Sequence, residues 1–288
     1  MKSLGIEISP ELASRQAGWF APAHQPFLVS EKLAEHLEAA PLHEPLSAED
    51  RDTFEIYGLP HGLVCILLSE QEFYTLERKV RTELVRSQLS FRSETVPSVR
   101  SAPTAVRERA SQQADGHRFL WWPSLLEGHE ESVLDAYLQY GRRSSRHAEV
   151  PKLIWQRADV VLPGARALAG TFPTASGPNC FGTVMGAAGV SGAADNWVIH
   201  EPFEEWLAES AVPGSRNGEQ DHEPGTVLVW RSPNGLAQHA AVTIGGGYAL
   251  HKPSQGWMSP RKILTVREVM LSSRQPGRLL QRYTLKRG

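Results

Sequence analysis

His239-Ala240-Ala241-Val242-Thr243-Ile244-Gly245-Gly246-Gly247-Tyr248-Ala249-Leu250-His251 is the stretch on which the reading of this chain turns. Two short apolar runs, 240–244 and 248–251, flank a triple-glycine turn, the pattern of a tight antiparallel hairpin. One histidine opens the first strand and another closes the second. With the loop centred near Gly245, the two imidazoles come out opposite or nearly opposite each other. A slip of one residue would turn a side chain to the other face, so the sequence leaves the register open. The glycines join two strands rather than a strand and a helix, and the Lys-Ser/Thr of a phosphate-binding loop is missing.

Working outward, Thr226–Trp230, Lys262–Val266 and Leu279–Leu285 read as further strands. Their short spacing predicts an antiparallel sheet. Ahead of it, Ser176-Gly177-Pro178-Asn179-Cys180-Phe181-Gly182-Thr183 runs from a turn into a helix expected over Cys180–Ala188, with Asn179 as its cap. A second helix is expected over Pro202–Glu209, where proline suits a first turn. A helix carrying a thiol, followed by an antiparallel sheet, is an α+β papain-like plan.

Residues 1–92 read as a smaller α+β unit. Ser30 caps a helix over Glu31–Leu37. Thr53–Tyr57 and Gly62–Leu68 are expected as two strands, and Ser69 with Glu72 forms a capping-box signal ahead of a helix over Glu70–Arg86. Residues 93–116, rich in Ser, Pro, Ala, Gln and charge, read as a linker or mobile loop. Residues 117–288 are then the second domain, opening with Trp121-Trp122 and a helix to Tyr140 that turns Leu125, Val133, Leu134 and Leu138 inward.

The chain has 288 residues, 41% of them hydrophobic, with 30 basic against 32 acidic side chains and a net charge of −2. That balance points to neither nucleic acid nor a membrane surface. No secretory signal and no apolar run of membrane-spanning length are visible, so a cytoplasmic setting is expected. With two cysteines, Cys65 and Cys180, no disulfide framework is implied. Cys65 sits in a continuous apolar run and reads as an inert buried thiol.

Cys180, His239 and His251 are the candidate chemistry. A helix N-terminus favours a thiolate through its N–H groups and dipole, and an imidazole can pass the proton to a leaving amine. A third polar residue would hold the imidazole. Each residue taken alone also fits a plain role, as a small buried thiol or a polar hairpin residue. His24, His36, His43, His61, His117, His129 and His147 lack the spacing of a metal site, and no metal, phosphate or nicotinamide cofactor is suggested.

The C-terminal part of the chain, from about Arg166, resembles the NlpC/P60 superfamily of papain-like cysteine peptidases and amidases. Gly170-Thr171-Phe172-Pro173 leading to Asn179-Cys180-Phe181-Gly182 is similar to its nucleophile segment. Pro224-Gly225-Thr226-Val227 resembles its Pro-Gly-Asp-Leu strand, and the 239–251 hairpin resembles its histidine hairpin. The resemblance implies Cys180 as nucleophile, His239 as base and His251 as the orienting residue. It also implies cleavage of amides in cell-wall-type peptides, commonly at a γ-glutamyl bond. Asn179 stands where the family usually has Asp, Phe181 where it has Ser, and Arg166 near its Tyr. Asn179, Ser254, Gln255 and Trp257 are candidate substrate contacts. Three readings stay open: a thiol hydrolase acting on a small peptide or amide, an acyltransferase on the same fold, and a degenerate domain that only binds.

Overall fold

The computed structural model describes residues 1–37, 42, 46–91 and 95–286. The chain is α+β. It divides into two compact units, one of Met1 and Ile8–Gly141, the other of Lys2–Glu7 and Arg142–Gly288. A small hairpin, β1 (Lys2–Ser3) and β2 (Ile6–Glu7), opens the chain and belongs to the second unit.

The first unit runs through α1 (Pro10–Phe20), β3 (His24–Ser30), α2 (Glu31–His36), α3 (Ala48–Phe54), β4 (Leu63–Ser69), α4 (Glu70–Thr75), α5 (Arg78–Phe91), α6 (Arg107–Gln113), α7 (Pro123–Leu126) and α8 (Glu130–Gln139). β3 and β4 form a two-stranded antiparallel ribbon with Leu28 opposite Cys65. Phe27, Val29, Ile66, Leu68, Phe73, Leu84 and Trp122 close over one side of it. Cys65 is buried with Leu28 and Ile56, as its apolar neighbours imply. The expected caps are present: Ser30 accepts from the N–H of Leu33, and Ser69 with Glu72 forms a reciprocal capping box.

Several expectations for this half are corrected. Thr53–Tyr57 is not a strand. Ser47 caps α3 by accepting from the N–H of Asp50, and the helix ends at Glu55 in a left-handed conformation. The partner of β4 is β3, whose Pro26 hid it. Pro cannot donate to a ladder, and a ribbon strand with one neighbour tolerates that. The helix expected over Glu70–Arg86 is broken at Leu76, which turns extended and packs against the ribbon core.

Residues 95–116 are not a linker. Val96, Ala102, Val106 and Ala110 are buried, the last three against Phe119, Leu125 and Val133, so apolar residues spaced among polar ones supply one wall of a core. Positions 93 and 94, like His43, lie outside the described residues. The unit boundary falls after Gly141 rather than before residue 117, because Trp122, Leu125 and Val133 are core residues of the first unit.

The second unit continues with α9 (Lys152–Val161), α10 (Ala165–Leu168), α11 (Cys180–Ala187), α12 (His200–Ser210), β5 (Ala211–Pro213), β6 (Pro224–Arg231), β7 (Ala237–Gly245), β8 (Tyr248–His251), β9 (Lys262–Thr265), α13 (Val266–Ser272) and β10 (Leu279–Leu285). Among the described residues the strands build a six-stranded antiparallel sheet in the order β5-β10-β6-β7-β8-β9. Val227, Val229, Ala240, Val242, Leu250 and Ile263 face one way and pack with α9 and α11. Leu228, Trp230, Ala241, Ala249 and Leu264 face the other way and pack with Val266 and Val269 of α13.

Candidate active site

α11 starts where the sequence predicts. Asn179 is extended, its Oδ1 accepts from the N–H of Gly182 at 3.0 Å, and its carbonyl accepts from the N–H of Thr183. The Asn179 Nδ2 donates to the carbonyl of Val198 at 2.7 Å. Both ends of this side chain are thus engaged in the fold, and Asn179 caps α11. Phe181 stacks on Phe203 with ring centroids 4.3 Å apart, so this aromatic residue fills core beneath the helix. Gly182 lies so close to the turn at Ala193–Asp195 that a Cβ would sit 2.2 Å from the carbonyl oxygen of Ala193.

The segment leading to Cys180 is tied down on two sides. The N–H of Gly170 donates to the carbonyl of Arg261, and the N–H of Arg261 donates to that of Thr171. The N–H of Gly177 donates to the carbonyl of Gln255 at 2.9 Å, and the N–H of Trp257 to Ser176 Oγ at 3.2 Å. Arg166 pairs with Asp159 at 2.9 Å and lies over the Trp155 ring.

The hairpin register places His251 opposite Ala241, not opposite His239. Gly245, Gly246 and Gly247 all have positive φ, and an irregularity between Thr243 and Gly245 sets the offset. The histidines are diagonal neighbours on one face, close enough for side chains to meet. Their Nε2 atoms are 2.8 Å apart with the rings nearly perpendicular. Ser273 Oγ lies 3.5 Å from Nε2 of His251.

The side of the sheet is the feature the hairpin pattern does not disclose. His239 is opposite Trp230, with ring centroids 5.3 Å apart, and His251 is opposite Ala241. Side chains directly opposite share a face, so both imidazoles belong to the α13 face. Cys180 packs with Ala240 and Val242 on the other face, where the main-chain N–H groups of Ala240 and Phe181 reach its thiol. The structure therefore joins His239 to His251 and brings Cys180 to the backbone beside His239. Among the described residues, no hydrogen bond links the thiol to the His239 ring.

The protonation states follow from burial. Cys180 is 9% exposed, and desolvation pushes its thiol up to about 11, outweighing the N–H groups and the nearby Lys252 charge. The N–H groups at the helix start act in the expected direction, lowering the thiol pKa, and desolvation acts against them. Burial, helped by the Arg278 charge, brings His239 down to about 4, and burial with neighbouring charges holds His251 well below the usual range. Burial thus favours the neutral thiol and the neutral imidazoles.

The loop after β8 carries the other three candidates. Ser254 is exposed and Gln255 half-buried. Trp257 is 2% exposed, so it packs rather than presents a surface to a ligand. Sequence reasoning passed over Lys252, which is fully buried. Its position directly after His251 was the available signal. Among the described residues no cluster of three or more His, Cys, Asp or Glu side chains is arranged to hold a metal ion. No family model, curated protein or solved structure matches this chain.

Proposed function

We propose that the second unit is a papain-like domain of the NlpC/P60 type that cleaves an amide of a small peptide through an acyl-enzyme on Cys180. One observation supports this above the rest. A cysteine at the first position of an Asn-capped helix touches the backbone next to a histidine whose Nε2 is already held by a second histidine. With Nε2 of His239 engaged by His251, Nδ1 is the nitrogen left to take the thiol proton.

The starting pair is neutral, so proton transfer accompanies attack. As Sγ bonds to the carbonyl carbon, the thiol proton passes to Nδ1 of His239, which must first turn toward the thiol. The main-chain N–H of Cys180 at the helix start supports the oxyanion. The C–N bond then breaks, and His239 returns the proton to the leaving amine. Water attacks the thioester, His239 takes its proton, and the acid leaves as the thiol re-forms. The substrate class is a cell-wall-type peptide fragment with a γ-glutamyl or related amide. Among the described residues no helix is long and apolar enough to cross a membrane. A reducing cytoplasm is the setting that keeps such a thiol usable.

The test is turnover of a panel of γ-glutamyl and α-linked peptide amides by the full chain, with peptide mapping for an acyl adduct on Cys180. Cys180→Ala is expected to lower turnover by about a thousandfold or more. A second reading, a domain that binds without reacting, is favoured by the raised thiol pKa and by the imidazoles' place on the other face. Absence of both adduct and turnover across the panel, with peptide binding equal in wild type and Cys180→Ala, would select it.

A further inference from the structure

Lys252 is an ionisable side chain with no exposure, directly after His251. Its Nζ donates to the carbonyls of Ser254 at 2.7 Å and Ser259 at 2.8 Å, and lies 3.5 Å from that of Gly256. An ammonium has three donors and no acceptor. A ring of carbonyls is what allows it to stay in a dry interior, since a bare buried charge is costly. The same carbonyls belong to the loop that Ser259 Oγ closes by accepting from the N–H of Ser254 at 2.9 Å. That loop is bonded to the nucleophile segment through Gly177–Gln255 and Ser176–Trp257.

We propose that Lys252 is a positioning residue of the thiol site. Through the carbonyls of Ser254 and Ser259 its ammonium holds the 253–259 loop in the shape that bonds to the segment entering Cys180. The proposal deepens the hydrolase reading and rests on it for its biological meaning, while its physical content concerns the thiol alone. Burial lowers the pKa values of His239 on β7 and His251 on β8, and the Lys252 charge is the side-chain contribution that favours the thiolate. Desolvation still dominates, so the charge moderates the raised pKa and does not abolish it. A thioester-forming step, in which negative charge appears on sulfur and then on oxygen, gains from a charge that is already in place.

Two substitutions in the full chain separate the staple from the charge. Lys252→Gln keeps donors for the carbonyls and removes the charge. Lys252→Met removes both. Iodoacetamide labelling of Cys180 across pH, mapped separately from Cys65, reads the charge. Amide hydrogen exchange at Gly177 and Trp257 reads the staple. For Lys252→Gln the labelling midpoint is expected to move up by about half a pH unit or more, with exchange within about twofold of wild type. For Lys252→Met, exchange at both amides is expected to rise about tenfold or more. A wild-type midpoint in Lys252→Gln overturns the charge role, and wild-type exchange in Lys252→Met overturns the staple. If Lys252→Met does not fold, Lys252→Gln still decides the charge. Neither readout uses a substrate, so failure of the hydrolase reading leaves both results standing.

Discussion

The two faces of β7 differ more than their sequence suggests. The face toward α11 is aliphatic, with Ala240, Val242 and Ile244, and receives the thiol of Cys180. The face toward α13 carries Trp230, His239, His251 and, at the helix end, Ser273. One residue of strand parity separates a nucleophile from a pair of bases. Residue types suited to a reaction lie within one strand's thickness, yet their protonation and orientation belong to separate dry environments. Desolvation raises the thiol pKa on one face and lowers the imidazole pKa values on the other.

The largest expected effect tests the rigidity of the thiol face. A Cβ at Gly182 would lie 2.2 Å from the carbonyl oxygen of Ala193 and 3.0 Å from that of Asn196. Both are backbone atoms that move only with their turn. Gly182→Ala is therefore expected to cost about 4 kcal/mol, seen as a lowered urea midpoint. A midpoint equal to wild type would show that the turn yields and that α11 is loosely seated.

The imidazole face is tested by pH. His239 has its pKa lowered from 6.5 to about 4 in the folded chain. The unfolded chain thus binds a proton more readily, and stability present above about pH 6.5 is lost as pH falls toward 4. The loss is on the order of 3 kcal/mol for this residue. His239→Gln should flatten the slope of stability against pH in that window. An unchanged slope would mean that the imidazole is hydrated and that the two faces are less distinct than described.

The smallest effect sharpens the helix start. Asn179→Ala removes the bonds to Gly182 and Val198 and is expected to cost about 1 kcal/mol, with Cys180 labelling altered more than global stability. A change in stability with no change in labelling would detach the cap from the thiol's environment.

Local signals were well written in the chain. Asn179 before Cys180, Ser69 with Glu72, and the hairpin from Ala237 to His251 are contacts between near neighbours, and the structure has them. The misses share a cause. β3 was hidden by Pro26, and residues 95–116 by a polar composition in which Val96, Ala102, Val106 and Ala110 are nonetheless buried. In each case a distant partner supplied what the local pattern lacked. Lys252 was overlooked for the same reason, since its carbonyl partners become a cage only when the loop folds back.

By itself the sequence determined the elements that carry Cys180, His239 and His251, because capping and strand alternation are short-range physics. It also determined that the two histidines would come close, since a glycine turn returns the chain over so few residues. The tertiary structure alone decided which face each side chain occupies. The irregularities near Gly245 and between Trp230 and Arg231 set that parity, and neither is visible in an alternating pattern. It alone decided the direction of the pKa shifts as well, because desolvation is summed over every element packed around a group, however distant in the chain.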